Sequence, residues 1–200
     1  MKRVAILAGG YIYFLLVYFG TSYFAAGRYA TIVRWDPVWY FPTISAFTVT
    51  YMSVYFVPLF LIVVVKDTRE LLRLAYLFAV VITFCGIIFL IMPLTLPRPP
   101  IEQGGILNKL LAWQYSIDRP SNMFPSIHIA VSLLVAFVAG TKKPSYRWWV
   151  LAWVLLIAMS TLFIKQHYVV DIVGGVVVAL AGWHIFHWLV SSRVSQYQEA

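Results

Sequence analysis

Two histidines at the edges of long apolar segments could carry out nucleophilic or acid–base chemistry. His128 opens one apolar segment, and His167 precedes another and is followed four residues later by Asp171. Ionisable groups at membrane depth are costly, which makes each of them a candidate for function. Asp171 falls on the same helical face as His167. Its carboxylate can accept the Nδ1 proton of His167 and leave Nε2 bare, as a nucleophile or base requires.

A helix N-terminus and several cations extend this candidate site. Ser121 or Asn122 can cap a helix here, and Pro125 suits its first turn. The free backbone N–H groups around Ser126 and His128 then form an anion site. The cations expected to reach the same face are Arg98, Arg119 and Lys165. Two imidazoles, an orienting carboxylate, amides and cations together predict a site that holds and transfers a phosphoryl group.

Each cation has a second interpretation. Arg98 either contacts the phosphate or anchors the chain at the headgroup level. Arg119 either acts as a second phosphate clamp or pairs with Asp118. Lys165 either contacts the phosphate or extends to the membrane interface.

The remaining polar residues also have structural interpretations. Ser126 and Asn122 either belong to the anion site or serve only as caps. His184 and His187 lie about 25 Å or more along a helix from His167 at 1.5 Å per residue. They are interpreted as interfacial residues outside the site.

The composition identifies the class of protein that must position these residues. The chain of 200 residues is 62% hydrophobic and 11% charged, with a mean hydropathy of +0.84. These values exclude an ordinary soluble domain and predict an all-α polytopic membrane protein. The length accommodates six transmembrane helices of about 20 residues in one bundle, so residues 1–200 are expected to form a single domain.

Six apolar segments follow one another along the chain, and they are expected at residues 4–26, 38–65, 71–96, 126–140, 148–164 and 169–190. Pro58 and Pro93 predict kinks. Small residues at helical steps predict close packing of the sixth segment: Gly174, Gly175, Ala179 and Gly182. Residues 97–123 form the long polar connection.

The fourth and fifth segments are expected to bring the two histidines together. The descent from His128 and the ascent to His167 have similar lengths, and the turn at residues 141–147 is short. Consecutive elements joined by a short turn are usually neighbours. His128 and His167 should therefore meet at one membrane face.

The basic residues predict the orientation. With the N-terminus in the cytoplasm, nine of the 15 Lys and Arg residues lie inside: Lys2, Arg3, Lys66, Arg69, Arg73, Lys142, Lys143, Arg147 and Arg193. This bias places both termini inside and the histidines on the extracytoplasmic face, most simply of the plasma membrane. The charge of +8 does not indicate nucleic acid, because the basic residues lie between apolar segments.

The residues of this candidate site resemble the motifs of the type 2 phosphatidic acid phosphatase superfamily. Residues 125–128 read Pro-Ser-Ile-His, similar to its Pro-Ser-Gly-His motif, and residues 160–171 carry its His and Asp four residues apart. Arg98 with the following proline looks like the end of its first motif. The resemblance covers residues 98–175. The form of both motifs is more similar to the branch that contains inositol phosphorylceramide synthases.

The sequence departs from the family pattern at three positions. The first family motif has a Lys seven residues before its Arg-Pro, and here that position is Ile91. Ile127 replaces the Gly of Pro-Ser-Gly-His, and Thr161 replaces an Arg in the motif at residues 160–171. Two phosphate-binding cations are therefore missing, and Arg119 and Lys165 are candidates to replace them.

The resemblance implies roles for the matching residues. His167 is the nucleophile that forms a phosphohistidine, Asp171 holds its tautomer, and His128 is the general acid. Arg98 and the helix amides stabilise the transition state. No metal or other cofactor is expected, because fixed cations and dipoles serve that purpose. The expected partners are a lipid phosphate substrate and membrane lipids; the sequence does not reveal the oligomeric state.

Three functional hypotheses follow. The first is a lipid phosphatase that acts on a lipid phosphate or pyrophosphate. The second is a lipid phosphotransferase that moves a phosphoryl headgroup to a lipid hydroxyl, with the same catalytic residues. The third is a non-enzyme, either a transporter or a haem protein with two histidine ligands. Asp171 and the cations would fit poorly around a porphyrin.

Overall fold

A computed structural model describes residues 1–25, 28–102 and 104–198, with side chains through residue 189. As expected from the sequence, the protein is all-α: helices make up 75% of it, and the described residues form no strand. The α-helices are α1 (Lys2–Ala25), α2 (Phe47–Met52), α3 (Phe60–Val64), α4 (Thr68–Ile91), α5 (Ile106–Ile117), α6 (Ile127–Lys142), α7 (Arg147–Phe163) and α8 (Val169–Gln198).

Five of the helical stretches in the described residues are long and apolar enough to cross a membrane, which indicates an integral membrane protein. They are Lys2–Ala25, Phe47–Val64, Thr68–Ile91, Pro144–Phe163 and Val169–Leu189. The predicted fourth span corresponds to α6, which has 16 residues and is shorter than the roughly 20 that a span needs. The count of six spans therefore stays a prediction. Most of α6 is buried against α7, α8, α4 and α3.

Proline determines where several observed elements differ from the predicted segments. The second predicted segment began at residue 38, but Pro37–Tyr40 form a separate 3₁₀ turn and the span starts at Phe47. Pro58 lies inside a 3₁₀ stretch, Ser53–Leu59, between α2 and α3. Pro93 does not kink a helix, because α4 ends at Ile91, before it. Helices usually end before the residue that precedes a proline.

The connection between the third and fourth predicted segments contains a helix that was not predicted. Residues 97–123 include α5, which buries Leu111 and Gln114. This helix carries Asp118 at its C-terminal end.

The α6–α7 hairpin is as predicted. The two helices have 16 and 17 residues and are joined by a 3₁₀ turn, Pro144–Tyr146. Equal rise along antiparallel helices returns the chain to its starting level. His128 in the first turn of α6 and His167 after α7 consequently lie at the same end of the bundle.

Helices α6 and α8 approach closely because α8 carries glycine where they meet. A Cβ at Gly175 would lie 2.5 Å from the carbonyl oxygen of Ser126, and one at Gly174 would lie 2.5 Å from the Phe124 ring. The Ser126 N–H donates to the Asp171 carbonyl at 2.9 Å. The predicted packing role of these glycines is confirmed, and the contact joins the two helix starts that carry the histidines.

Residues 31–41, here called the capping segment, cover this end of the bundle. The Asp36 carboxylate is buried and accepts from the N–H groups of Val169 and Val170, both at 3.0 Å, so it caps α8. Lys165 adopts a positive φ of 52°. Its amine donates to the carbonyls of Val38 and Phe41, both at 2.6 Å. Contacts from the capping segment therefore fix both sides of His167.

Replacing Gly175 with Ala should destabilise the protein. The new methyl group would press against the backbone oxygen of Ser126, which cannot rotate away, and overpacking of this kind costs about 1–3 kcal/mol. Thermal unfolding in detergent measures the loss. Gly20→Ala is the matched control, because a Cβ there meets nothing within 4 Å. Equal stability of the two variants would contradict the assigned contact.

Replacing Lys165 with Met should lower the free energy of unfolding by about 2 kcal/mol, the range of hydrogen bonds to a charged group. The substitution keeps the length of the side chain but removes both bonds to the capping segment. The same unfolding measurement applies, with the exposed Lys109→Met as control. A stable Lys165→Met protein would show that these bonds do not anchor the capping segment.

Candidate active site

The two histidines are in direct contact. His128 Nδ1 lies 3.0 Å from His167 Nε2, and His167 Nδ1 lies 3.2 Å from Asp171 Oδ2. The three residues are at most 4% exposed. The predicted meeting of His128 and His167, and the predicted contact of His167 with Asp171, are both confirmed as geometry.

Local backbone structure positions this triad. Ser126 is the N-cap of α6, so His128 falls in its first turn, as predicted. The predicted cap, Ser121 or Asn122, was wrong, because the helix starts later than either. His167 lies in the turn before α8, and Asp171 Oδ2 also accepts from the Tyr168 N–H at 2.8 Å. One carboxylate oxygen thus holds both the imidazole and the start of α8.

The other side of His128 faces a second carboxylate through a tyrosine. The Tyr51 hydroxyl lies 3.0 Å from His128 Nε2 and donates to Asp118 Oδ2 at 2.6 Å. Tyr18 donates to Asp118 Oδ1 at 2.6 Å, and Gln114 Nε2 approaches Oδ2 at 3.3 Å. All of these groups are buried. A single hydrogen-bonded chain therefore joins Asp118 to Asp171 through both imidazoles.

Arg98 lies beside this chain and is held by three oxygens. Its guanidinium donates to the carbonyls of Tyr115 at 3.0 Å and Asp118 at 2.6 Å, and to Gln166 Oε1 at 2.7 Å. It also stacks on the Tyr115 ring, 4.2 Å from the centroid. Burial lowers the pKa of Arg98, and the Asp118 carboxylate opposes that shift. Arg98 joins α5 to the segment that carries His167; its predicted contact with phosphate stays a prediction.

The other two predicted cations have no described contact with the histidines. Lys165 donates to the capping segment, and burial lowers the pKa of its amine. Arg119 is exposed, and its side chain has no hydrogen bond or ion pair among the described residues. It does not pair with Asp118, whose donors are tyrosines and a glutamine. No hydrogen bond described for Lys165 or Arg119 reaches either histidine, and their contact with phosphate stays a prediction.

The predicted polar residues near α6 have local partners. Ser126 is buried, and its hydroxyl oxygen accepts from Ile129 N at 3.5 Å. Asn122 is buried and donates to the Tyr18 carbonyl at 2.6 Å, while its Oδ1 has no partner. Substrate contact by either residue stays a prediction.

The positions that depart from the family motifs cannot supply charge. Ile91 is 75% exposed at the end of α4. Thr161 is buried, and its carbonyl accepts from the N–H groups of Gln166 at 2.8 Å and His167 at 3.3 Å. A backbone oxygen of α7 therefore positions His167 where the family has an arginine side chain.

Unpartnered polar atoms surround the triad. Arg98 Nε, Gln166 Nε2 and Asp171 Oδ1 are buried without a hydrogen bond. Buried groups of this kind normally have a partner, and the two nitrogens are donors suited to an anion. The described residues contain no cluster of His, Cys, Asp and Glu side chains able to hold a metal ion. The arrangement can bind an oxyanion next to a bare imidazole.

The sequence prediction missed four residues that shape this site: Tyr51, Asp118, Gln166 and Asp36. Tyr51 lies in an aromatic-rich span, and Asp118 enters the sequence prediction only as a partner of Arg119. A carboxylate at the end of an amphipathic segment was the available signal for Asp118. For Tyr51 there was no signal, since tyrosines are common throughout this chain.

Comparisons with known proteins identify the family. A sequence model of the PAP2 superfamily matches residues 28–185, well over half of the chain. An uncharacterised protein of Methanocaldococcus jannaschii is 31% identical over 94 residues, which cover 46% of this chain and only 38% of that relative's length. No solved structure matches the chain. The chain therefore belongs to the PAP2 superfamily.

Proposed function

We propose that the protein is a membrane lipid phosphatase that hydrolyses a lipid phosphate or pyrophosphate through a phosphohistidine at His167. The observation that carries this proposal is the buried contact of His128, His167 and Asp171. A carboxylate on Nδ1 directs the lone pair of a histidine to Nε2. The direct contact between the imidazoles leaves no room for a porphyrin between them, which argues against the haem alternative.

In the first step, the His167 Nε2 lone pair attacks phosphorus and forms a P–N bond. The bond from phosphorus to the leaving oxygen breaks, and that oxygen keeps the electron pair and takes a proton from His128 Nδ1. Because the two nitrogens are 3.0 Å apart, the phosphoryl group must enter between the imidazoles and separate them.

In the second step, water attacks the phosphohistidine. His128 Nδ1 takes the proton from the attacking oxygen, the P–N bond breaks, and the electron pair returns to His167 Nε2. The products are inorganic phosphate and the restored enzyme. The proposal assigns no metal ion to either step; Arg98, the α6 amides and the proton on His128 stabilise the developing charge.

An apolar cavity supports a lipid substrate. It has a volume of about 300 Å³, within the roughly 300–1,000 Å³ of ligand pockets, and His128 lies in its wall. The cavity follows α4 from Ile82 to Leu71, about 16 Å at 1.5 Å per residue, and Gly9 and Gly10 of α1 form part of its wall. A hydrocarbon chain in this space would place its ester oxygen next to the proposed acid.

A second candidate is a lipid phosphotransferase, and the bonding of the cations favours it. Arg98 and Lys165 are both directed at carbonyl or amide oxygens. A phosphate monoester carries a charge near −2, whereas a phosphodiester carries −1 and needs fewer cations. With phosphate-labelled lipids, release of inorganic phosphate supports the phosphatase, and label in a second lipid supports transfer to a lipid hydroxyl.

We also propose an orientation of the protein in the membrane. Both termini lie in the cytoplasm and the histidines lie at the extracytoplasmic face, most simply of the plasma membrane. The support is the distribution of basic residues, nine of 15 of which fall on the cytoplasmic side in this arrangement.

His167→Ala should abolish turnover and any acid-labile phosphoprotein, because the triad offers no second nucleophile. Incubation with labelled lipid phosphates followed by a rapid quench measures both quantities. His184→Ala is the matched control, since His184 is exposed in the middle of α8, about 25 Å from His167 at 1.5 Å per residue. Normal turnover by the His167→Ala protein would refute the proposed nucleophile.

Gly9→Leu should reduce the turnover of long-chain lipid phosphates about tenfold or more while sparing short-chain ones. A side chain at Gly9 meets nothing within 4 Å and would fill the cavity, and each displaced methylene loses about 0.8 kcal/mol. Rates on dioctanoyl and dipalmitoyl phosphatidate give the ratio. Gly20→Leu, also unobstructed but outside the cavity, controls for the added bulk. An unchanged ratio would exclude the cavity as the chain site.

A further inference from the structure

The hydrogen-bonded chain between the two carboxylates requires one proton more than its neutral members supply. The four links join Asp118 to Tyr51, Tyr51 to His128, His128 to His167 and His167 to Asp171. Each link needs one proton. With both carboxylates ionised, neutral Tyr51 and two neutral imidazoles contribute three.

The fourth proton has a defined place. Tyr51 donates to Asp118, so its oxygen can only accept from His128, which must then carry a proton on Nε2. His167 carries a proton on Nδ1, directed to Asp171. The additional proton lies between His128 Nδ1 and His167 Nε2. When a phosphoryl group separates the rings, the nucleophile must be bare, so the proton goes with His128 as an imidazolium.

We propose that Tyr51 and Asp118 are positioning residues for His128, holding it as the protonated acid with Nδ1–H directed at the leaving oxygen. This inference rests on the proposed phosphoryl transfer. Asp118 stabilises His128 through the Tyr51 hydroxyl, as Asp171 stabilises His167 directly. When the ester bond breaks, the leaving oxygen takes the Nδ1 proton, and His128 stays neutral with Nε2–H on Tyr51.

The surroundings of Asp118 supply the hydrogen-bond donors that this role needs. Its carboxylate receives hydrogen bonds from Tyr18, Tyr51 and Gln114. The Arg98 guanidinium donates to its backbone carbonyl at 2.6 Å. Three donors and a nearby cation compensate a carboxylate that is 3% exposed. A purely structural role, joining α5 to α1 and the second span, would need no contact with an imidazole nitrogen.

Substrates whose leaving groups differ in basicity distinguish the proposed positioning of His128 from a purely structural role. An alkoxide needs a proton to depart, whereas p-nitrophenolate does not. Tyr51→Phe should lower kcat/KM on dodecyl phosphate about 10- to 100-fold, the range for one hydrogen bond to a charged group. On p-nitrophenyl phosphate the loss should stay within about threefold, because little general-acid catalysis is at stake. The full-length protein in detergent serves for both assays.

Tyr18→Phe is the matched control. It removes a bond of the same length, 2.6 Å, to the same carboxylate, but the Tyr18 hydroxyl does not contact an imidazole nitrogen. Its ring packs edge-on against His128 at 6.0 Å, a contact that Phe retains. Any loss in this variant should depend on the leaving group much less than the loss in Tyr51→Phe, because the link from Asp118 through Tyr51 to His128 remains. An equal loss on both substrates for Tyr51→Phe would overturn the proposal and leave Tyr51 a packing residue.

Asp118→Asn is a second variant that tests the same chain if Tyr51→Phe does not fold, and its loss should likewise be larger on dodecyl phosphate than on p-nitrophenyl phosphate. Asp118→Asn and Tyr51→Phe act through one chain, so the double variant should lose no more on dodecyl phosphate than the stronger single variant. Multiplicative losses would overturn the proposal. If the wild-type protein turns over neither probe, or if His167→Ala stays active, the proposed function fails instead, and this result is distinct from an altered leaving-group dependence.

Discussion

The direct contact of two buried imidazoles is the interaction on which the rest of the site depends. An isolated charged group in this interior would be costly, yet the proposed chemistry requires one histidine to carry a proton beside the other. A carboxylate at each end of the pair compensates that charge. Asp171 bonds His167 directly, while Asp118 reaches His128 through Tyr51. Each histidine therefore has its own electrostatic environment, which is the usual basis for assigning acid and nucleophile to different residues.

The sequence was sufficient to predict the half of this network that is local or set by helix length. The carboxylate of Asp171 is four residues from His167, and the hairpin between His128 and His167 has arms of equal length. Both features follow from sequence spacing and helix length, whatever the packing of the other helices. Asp118 and Tyr51 are 67 residues apart in different elements, so their contact depends on how α5 packs under α1 and the second span. Nothing in the hydropathy pattern specifies that packing.

The sequence could not choose between two roles for an interfacial cation, because the direction of a long side chain is decided by its neighbours. Lys165 follows α7 at a positive φ, and its amine reaches the capping segment rather than the histidines. Asp36 makes the opposite connection, from the capping segment to α8. It caps that helix at residues 133 and 134 positions later in the chain. The second predicted segment was wrong for a similar reason, because short 3₁₀ turns interrupt a stretch that looks continuous by hydropathy, and α5 was missed because it lies in a polar connection.

The shortage of free cations gives the proton on His128 added importance. Ile91 faces outward, Thr161 contributes only backbone oxygen, and Arg98 is bonded to three oxygens. In a site with fixed cations, the charge of the leaving oxygen can be stabilised without complete proton transfer. In the proposed mechanism, Arg98 and the α6 amides supply only part of this stabilisation, so the proton on His128 must neutralise most of the charge. The group that holds this proton in place then becomes as important as the nucleophile. A second carboxylate behind the acid histidine is the expected compensation for the two cations that the motifs lack.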